Sequence, residues 1–183
     1  MVQPAIRSVH PARSGQREEG QALAGIQEIY EQYGKAVYKF LLKLTGNEDT
    51  AEELLQETFY QAFLHIDRFE GRCSLYTWLC AIGKNAWIKE YRRNKRFTDM
   101  IHEEDRTAPS EYQPEEEFLR KEAYHNVWQV IMKLEEPYRD VFILHACGGI
   151  KLKEIALNYG KTESWARVTY YRARQQIVKE VSE

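Results

Sequence analysis

The sequence predicts an all-α protein with two small helical domains joined by a flexible acidic linker, the second domain containing a helix-turn-helix. Apolar residues recur every three or four positions along most of the 183-residue chain, which is the spacing of a buried helical face. No alternating apolar and polar pattern extends beyond a few residues, so we predict no β-strand. The periodicity disappears between residues 97 and 113, where Pro109 follows a run of acidic residues. We therefore expect helical domains at 22–96 and 114–183 and a linker at 97–113.

The first domain should contain three helices. The apolar stripe that predicts the first helix, which should end at Gly46, consists of Ile26, Ile29, Tyr30, Tyr33, Val37, Phe40, Leu41 and Leu44. The second helix is predicted at 49–65 and has carboxylates in its first turns, where the helix dipole favours negative charge. Ser74 is a good N-cap for a third helix from 75 to about 96. These three helices would share one small core.

The second domain ends in a stretch that is typical of a helix-turn-helix. Its helical pattern breaks at Pro137 and stops at Gly148-Gly149. Residues 152–174, "LKEIALNYGKTESWARVTYYRAR", then predict two short helices around one glycine. A helix-turn-helix needs a small residue where the second helix crosses the first, and a turn residue that tolerates positive φ. Ala156 and Gly160 meet these two requirements.

The second of these two helices should present a DNA-reading face. The residues expected to pack inward are Ile155, Tyr159, Ala166, Tyr170, Ala173 and Ile177. Arg167, Val168, Tyr171 and Gln175 must then face outward. Such a face suits a major groove, where arginine can pair with guanine and apolar side chains can meet thymine methyl groups. The alternative is a surface helix with solvated arginines, but it leaves the alanine and glycine at the crossing positions unexplained.

The net charge of -2 conceals blocks of opposite sign, and each block can meet its own partner. The acidic block consists of Glu48, Asp49, Glu52, Glu53 and Glu57, and a second acidic block runs through 103–122. Basic residues cluster at 84–96 and 151–179. Trp87 and Tyr91 share a face with Lys84, and exposed aromatic side chains beside cations hold single-stranded bases. The alternative for these aromatic residues is core packing.

Other classes of protein find little support in the sequence. The three cysteines lack both an even count and a CxxC spacing, so we expect free thiols and no metal site. No apolar run approaches the roughly 20 residues of a membrane span, and no signal peptide is evident, so we expect a cytoplasmic protein. The histidines are scattered, and no phosphate-binding loop, HExxH or nucleophile elbow is present. We therefore predict no catalytic activity and no cofactor.

Three motifs, in this order, resemble the extracytoplasmic-function group of bacterial sigma factors, the promoter-recognition subunits of RNA polymerase. "DTAEELLQETFYQAF" resembles the polymerase-binding helix of that family, and "RFEGRCSLYTWLCAIGKN" its minus-10 recognition loop with the helix that follows. "LKEIALNYGKTESWARVTYYRAR" resembles its minus-35 helix-turn-helix. Three motifs in the family order are far more specific than a helix-turn-helix alone.

The resemblance implies a role for particular residues. Those implied to dock on the clamp helices of the largest subunit of core RNA polymerase are Asp49, Glu52, Glu53, Gln56 and Glu57. Those implied to meet promoter DNA at the displaced minus-10 strand are Phe69, Gly71, Arg72, Cys73, Ser74 and Asn85, with 69–74 as the pocket for a flipped base. Those implied to read the minus-35 duplex are Arg167, Val168, Tyr171 and Arg172. Family members are commonly held by an anti-sigma factor, often membrane-bound, so such a partner is expected.

Two other functions remain open at this point. A helix-turn-helix repressor or activator that binds an operator without core polymerase explains the second domain equally well, but it gives no role to the acidic helix. A sigma-like interaction protein without promoter activity would fit if the loop could not hold bases. Residues 1–21 are basic and contain proline, and we expect them to form a disordered N-terminal tail.

Overall fold

A computed structural model of the protein describes residues 15–102 and 126–182. Within these two ranges the regular structure is helical and no strand is present, which confirms the all-α prediction. The α-helices are α1 (Gly15–Thr45), α2 (Glu48–Leu64), α3 (Leu75–His102), α4 (126–133), α5 (Tyr138–Phe142), α6 (Leu152–Asn158) and α7 (Glu163–Ser182). The chain forms two compact units, which divide between Trp87 and Ile88.

Helices α1 and α2 form a hairpin around a sharp turn. Gly46 has a φ of 65°, a left-handed conformation that ends α1, and the Asn47 side chain then caps α2 by accepting from the Thr50 amide at 2.9 Å. The core residues of the hairpin are Val37, Phe40, Leu41, Leu44, Ala51, Leu54, Leu55, Phe59 and Ala62. The prediction that Tyr30 is buried is wrong. Its side chain is 48% exposed and lies edge-on against Phe59, with ring centroids 4.9 Å apart. The side chain of Ile26 lies outside the described residues.

Helix α3 packs closely onto this hairpin. The predicted N-cap is confirmed, because the Ser74 hydroxyl accepts from the Thr77 amide at 3.2 Å. At Gly83 a Cβ atom would lie 3.0 Å from Oγ1 of Thr58 and 3.1 Å from Cδ2 of Leu41. Glycine therefore permits the close approach of α3 to both other helices, which together bury Leu79 completely.

Two helices extend beyond their predicted bounds. Helix α3 continues to His102 rather than ending near 96, because residues 97–102 contain neither proline nor glycine. Helix α1 begins at Gly15, and the acidic residues that follow in its first turns favour an early start. The disordered tail was predicted at 1–21 and the linker at 97–113, but residues 15–21 and 97–102 are helical. Residues 1–14 and 103–113 lie outside the described residues. The domain limits at 22, 96 and 114 stay a prediction.

In the second unit, the predicted break at Pro137 and the stop at Gly148-Gly149 are both observed. Between them lies a wide π-helical turn, Ile143–Cys147, that the sequence did not indicate. The Gly148 amide donates to the Ile143 carbonyl at 3.3 Å. A Cβ on Gly148 would lie 2.6 Å from the Leu144 carbonyl oxygen, so the wide turn leaves no room for a side chain there.

None of the helices in the described ranges combines the length and the apolar character that a bilayer span requires.

Candidate functional site

The five residues implied to bind polymerase lie together on one exposed face of α2. Their spacing of three or four positions places the side chains of Asp49, Glu52, Glu53, Gln56 and Glu57 side by side. The opposite face of α2 supplies the core, so among the described residues these acidic side chains are exposed. Tyr60 and Leu64, which the sequence reasoning missed, continue the same face and are 56% and 47% exposed. Their helical phase relative to Asp49 was the signal that could have identified them.

A groove of about 550 Å³ borders the acidic face where α1 and α2 meet. Its lining residues are Tyr30, Gly34, Lys35, Tyr38, Glu52, Leu55 and Gln56. Burial raises the pKa of Tyr38, and the nearby carboxylates of Glu48, Glu52 and Asp49 raise it further. The Tyr38 phenol is therefore a neutral hydroxyl at physiological pH and can donate or accept a hydrogen bond.

The predicted base pocket forms a compact loop before α3. A short 3₁₀ turn, Ile66–Arg68, leads into Phe69, whose ring packs on Trp78 at a centroid distance of 5.2 Å and an angle of 45°. Gly71 has a φ of 68°, which turns the chain back toward α3. Arg72 is exposed and forms an ion pair with Glu70. The loop thus has an aromatic base and an exposed tip that carries the Arg72–Glu70 ion pair.

The structure places the remaining minus-10 candidates near this loop or along α3. Cys73 and Ser74 are half-buried. Besides capping the helix, the Ser74 hydroxyl is hydrogen-bonded to the Thr77 hydroxyl, with their oxygen atoms 2.8 Å apart. Asn85 is exposed and lies two turns after Trp78 on the same side of α3, about 10 Å further along the axis. The loop and Asn85 therefore share one side of α3 without being in direct contact with each other.

The prediction of an exposed aromatic surface further along α3 is wrong for Trp87 and Lys84, whereas Tyr91 is half-buried. Trp87 is only 4% exposed and Lys84 only 2%, because they lie on the same side of α3 as Cys80 and Gly83, which faces the core. The alternative of core packing applies to Trp87. Among the described side chains at 84–95, four cationic ones are exposed, namely Lys89, Arg92, Arg93 and Lys95. This segment offers positive charge rather than an aromatic platform.

The helix-turn-helix has the predicted geometry. Gly160 adopts a φ of 61° in the turn, and the Lys161 amide donates to the Ala156 carbonyl at 2.8 Å. The hydroxyl of Thr162 accepts from the Trp165 amide at 3.2 Å and so caps α7. Ala156 and Ala166 are buried, as the crossing of α6 and α7 requires.

Polar and aromatic contacts that sequence reasoning missed hold the helix-turn-helix on α5 and the π-helical turn. The Tyr159 hydroxyl donates to the buried Asp140 carboxylate. Burial and this carboxylate raise the pKa of Tyr159, so the phenol stays protonated. Tyr170 stacks on Phe142, with centroids 5.9 Å apart, and meets His145 edge-on at 4.5 Å. These partners lie far apart in sequence, so no local signal could have paired them.

The outer face of α7 carries the four predicted minus-35 residues, all of them exposed. They are Arg167, Val168, Tyr171 and Arg172. Arg167 is paired with Glu163, its Nη2 atom 2.6 Å from Oε1 of the carboxylate. The Tyr171 hydroxyl accepts from Nε2 of Gln175 at 2.9 Å. The face therefore combines guanidinium donors with apolar and phenolic surface, which are the groups that read base edges in a major groove.

The cysteines and histidines do not converge on a metal site in the part of the chain that the structure describes. Cys80 is buried and hydrogen-bonded to Tyr76, and burial raises the pKa of its thiol to about 12. His145 Nδ1 lies 2.8 Å from the Ile150 carbonyl oxygen, so this ring is engaged in holding the chain after the π-helical turn. These groups have structural roles.

Comparison with known proteins matches both units to one family. Residues 29–97 match the family model of sigma-70 region 2, and residues 124–177 match that of sigma-70 region 4. The RNA polymerase sigma factor YlaC of Bacillus subtilis is 30% identical over 159 residues, which cover 86% of this chain and 92% of that protein. The ECF RNA polymerase sigma factor SigM of the same organism is 30% identical over 156 residues, covering 83% and 92% of the two chains.

Two solved structures have a similar fold. CnrH, solved with the cytosolic domain of CnrY, has a TM-score of 0.56 and 20% identity, with 89% of this chain and 94% of CnrH covered. RpoE of Bartonella quintana, solved with the anti-sigma factor NepR, has a TM-score of 0.51 and 20% identity, with 86% and 97% covered. The two family matches and the curated relatives show that the chain belongs to the extracytoplasmic-function group of sigma-70 RNA polymerase sigma factors.

Proposed function

We propose that this alternative sigma factor binds core RNA polymerase through the acidic face of α2 and directs initiation by reading promoter DNA at two places. Helix α7 reads the minus-35 duplex, and the loop at 69–74 with Asn85 holds the displaced minus-10 strand. The observation that carries the proposal is the separation of an exposed acidic face from an exposed arginine-containing face, each on its own helix. The factor supplies recognition and has no catalytic activity of its own.

The acidic face of α2 suits a protein partner rather than DNA. Four carboxylates lie within three turns and would repel the phosphate backbone. The exposed Tyr60 adds an aromatic anchor, and aromatic side chains are common among the residues that dominate binding energy. Clamp helices of the polymerase largest subunit are the partner that the family membership suggests. A basic or polar surface with an apolar pocket would complement this face.

Helix α7 supports duplex recognition. The second helix of a helix-turn-helix lies in the major groove and contacts base edges mainly through its N-terminal half. Arg167, Val168, Tyr171 and Arg172 occupy that half, whereas Arg174 and Lys179 lie further along the helix. The first group is proposed to select bases and the second to contact phosphates.

The loop before α3 supports single-strand recognition. Extracting a base from a duplex costs a few kcal/mol, and pocket contacts must offset that cost. The packing of Phe69 on Trp78 holds the loop in place before DNA arrives. The loop therefore loses little conformational entropy when DNA binds. Arg72 at the tip can neutralise a phosphate of the displaced strand.

An anti-sigma factor is the further partner that we propose. RpoE of Bartonella quintana, one of the two structural relatives, was solved in complex with the anti-sigma factor NepR. A membrane-bound regulator would hold the factor at the cytoplasmic side until a signal releases it. We place the factor in the cytoplasm, where polymerase and promoters are.

Run-off transcription with purified core polymerase tests the proposed function. Genomic promoter fragments, beginning with the one upstream of the factor's own gene, should give discrete transcripts only when core polymerase and the protein are both present. Specific binding to the same fragments without core polymerase, together with no transcript, would favour an operator-binding repressor or activator.

A further inference from the structure

Arg167 is held in a defined orientation by Glu163, one turn earlier on α7. The Oε1 atom of Glu163 accepts from Nε of Arg167 at 3.1 Å and from Nη2 at 2.6 Å. The two side chains are 69% and 41% exposed, so the pair lies on the surface that would meet DNA. The carboxylate therefore orients the guanidinium without burying it.

The two hydrogen bonds decide which donors of Arg167 face outward. A guanidinium has five N–H donors in a planar fork. Glu163 occupies the edge made by Nε and Nη2, which leaves the edge made by Nη1 and the second proton of Nη2. Two donors side by side on that edge match the O6 and N7 acceptors of guanine in the major groove.

We propose that Glu163 is a positioning residue for minus-35 recognition, which holds the outer edge of Arg167 toward guanine and away from phosphate. The inference rests on the proposed function, because it takes Arg167 as a base reader. A guanidinium without this partner can turn toward any phosphate oxygen, and phosphate contacts carry no sequence information. The carboxylate also repels phosphates, so it weakens binding to DNA of every sequence.

A purely structural role for Glu163 makes a different prediction. A carboxylate in the first turn stabilises a helix through the helix dipole. Thr162 already caps α7, so the helix keeps its N-cap hydrogen bond when Glu163 is replaced. Loss of helix stability alone would lower affinity for all sequences, whereas loss of positioning changes the ratio between sequences.

The test uses holoenzyme reconstituted from the full chain and bacterial core polymerase. A promoter library randomised at minus-35 first identifies the position where the wild type prefers guanine. Two duplexes that differ only at that base pair then compete in one tube for each variant. Glu163→Ala should lower the preference for guanine up to about twofold, since an ion pair at this spacing shifts a side-chain equilibrium by about that factor. It should also raise affinity for both duplexes and steepen the salt dependence by about one ion.

Three further variants separate the possible causes. Glu163→Gln keeps an acceptor oxygen at the same reach without the charge and should retain part of the preference. Glu180→Ala removes another ion-paired carboxylate of α7, whose partner Lys133 lies 3.1 Å away, and should leave the preference unchanged. In an Arg167→Ala background, Glu163→Ala should have no further effect on the preference, because its proposed action passes through Arg167.

Two outcomes would overturn the inference, and they are distinguishable. If Arg167→Ala abolishes the preference but a folded Glu163→Ala retains it in full, Glu163 does not position the guanidinium and the proposed function stands. If Arg167→Ala leaves the preference intact, the assignment of Arg167 as a base reader is wrong, and the positioning role of Glu163 is wrong with it. Thermal melting and core affinity of each variant establish that it is folded.

Discussion

Tyr159 and Asp140 connect the helix-turn-helix to the helix that supports it. The Tyr159 hydroxyl donates to a carboxylate that is only 4% exposed. A buried carboxylate depends strongly on its hydrogen-bond donors, because it has lost its hydration. This contact therefore fixes where α6 and the turn lie relative to α5.

Tyr159→Phe should lower the free energy of unfolding by about 1 to 3 kcal/mol, because it leaves a buried acceptor short of a donor. Tyr171→Phe is the matched control: it removes the same hydroxyl from an exposed ring on α7 and should change stability by less than about 0.5 kcal/mol. Urea unfolding of the two variants makes the comparison. An equally small effect of both substitutions would contradict the structural role of Tyr159.

Cys80 should make stability fall in alkaline solution. Its folded-state pKa is raised from 9.0 to about 12, chiefly by burial. Above pH 9 the thiol ionises in the unfolded chain but stays protonated in the folded one, so the unfolded state binds fewer protons and stability falls as pH rises toward 12. The slope approaches about 1.4 kcal/mol per pH unit for this one group.

Urea midpoints measured from about pH 8 to about pH 10.5 test this linkage, because that range brackets the ordinary pKa of a thiol. Cys80→Ala should show a shallower alkaline decline than the wild type, whatever its stability at pH 8. Parallel declines in the two proteins would show that the thiol is not responsible.

Among the helical elements, α2 and α7 carry opposite charges on their exposed faces. Helix α2 buries one face and exposes carboxylates on the other, whereas α7 buries alanines and exposes arginines. The i to i+4 geometry of a helix makes each set of like residues a continuous surface. Each helix can therefore serve one partner.

Charge reversal on α2 should abolish core polymerase binding while the chain stays folded. The triple variant replaces Asp49, Glu53 and Glu57 with lysine, and exposed charges contribute little to stability. The matched control makes the same replacement at three exposed carboxylates outside α2, namely Glu28, Glu31 and Glu135. Affinity for core polymerase, measured by fluorescence titration, should fall only in the α2 variant. Unchanged affinity in a folded α2 variant would remove the docking assignment.

The helix-turn-helix was predictable because its signals are local. Ala156 and Gly160 provide the helix crossing and the turn within a few residues, and the N-cap of α3 is a similarly short-range signal. The burial of Lys84 and Trp87 depends on which side of α3 meets the hairpin, and a basic segment gives no indication of that. The π-helical turn likewise follows from tertiary packing around Gly148.

At the scale of the whole molecule, a net charge of -2 is the sum of surfaces with opposite roles. A protein that binds DNA only with the help of a polymerase has no need for an overall positive field. Coupling two modest contacts through one large partner gives high effective concentration, so each contact can remain weak alone. Under the proposed function, this arrangement makes promoter binding conditional on core polymerase.

Promoter opening is the most direct measurement of the central claim. Permanganate reactivity of thymines in the minus-10 region reports unpaired bases on a promoter that gives a run-off transcript. Reactivity is expected only when core polymerase and the protein are both present, and it should be lost in the α2 charge-reversal variant. Reactivity that is unchanged in that variant, or tight sequence-specific binding by the protein alone with no opening when core polymerase is added, would contradict it.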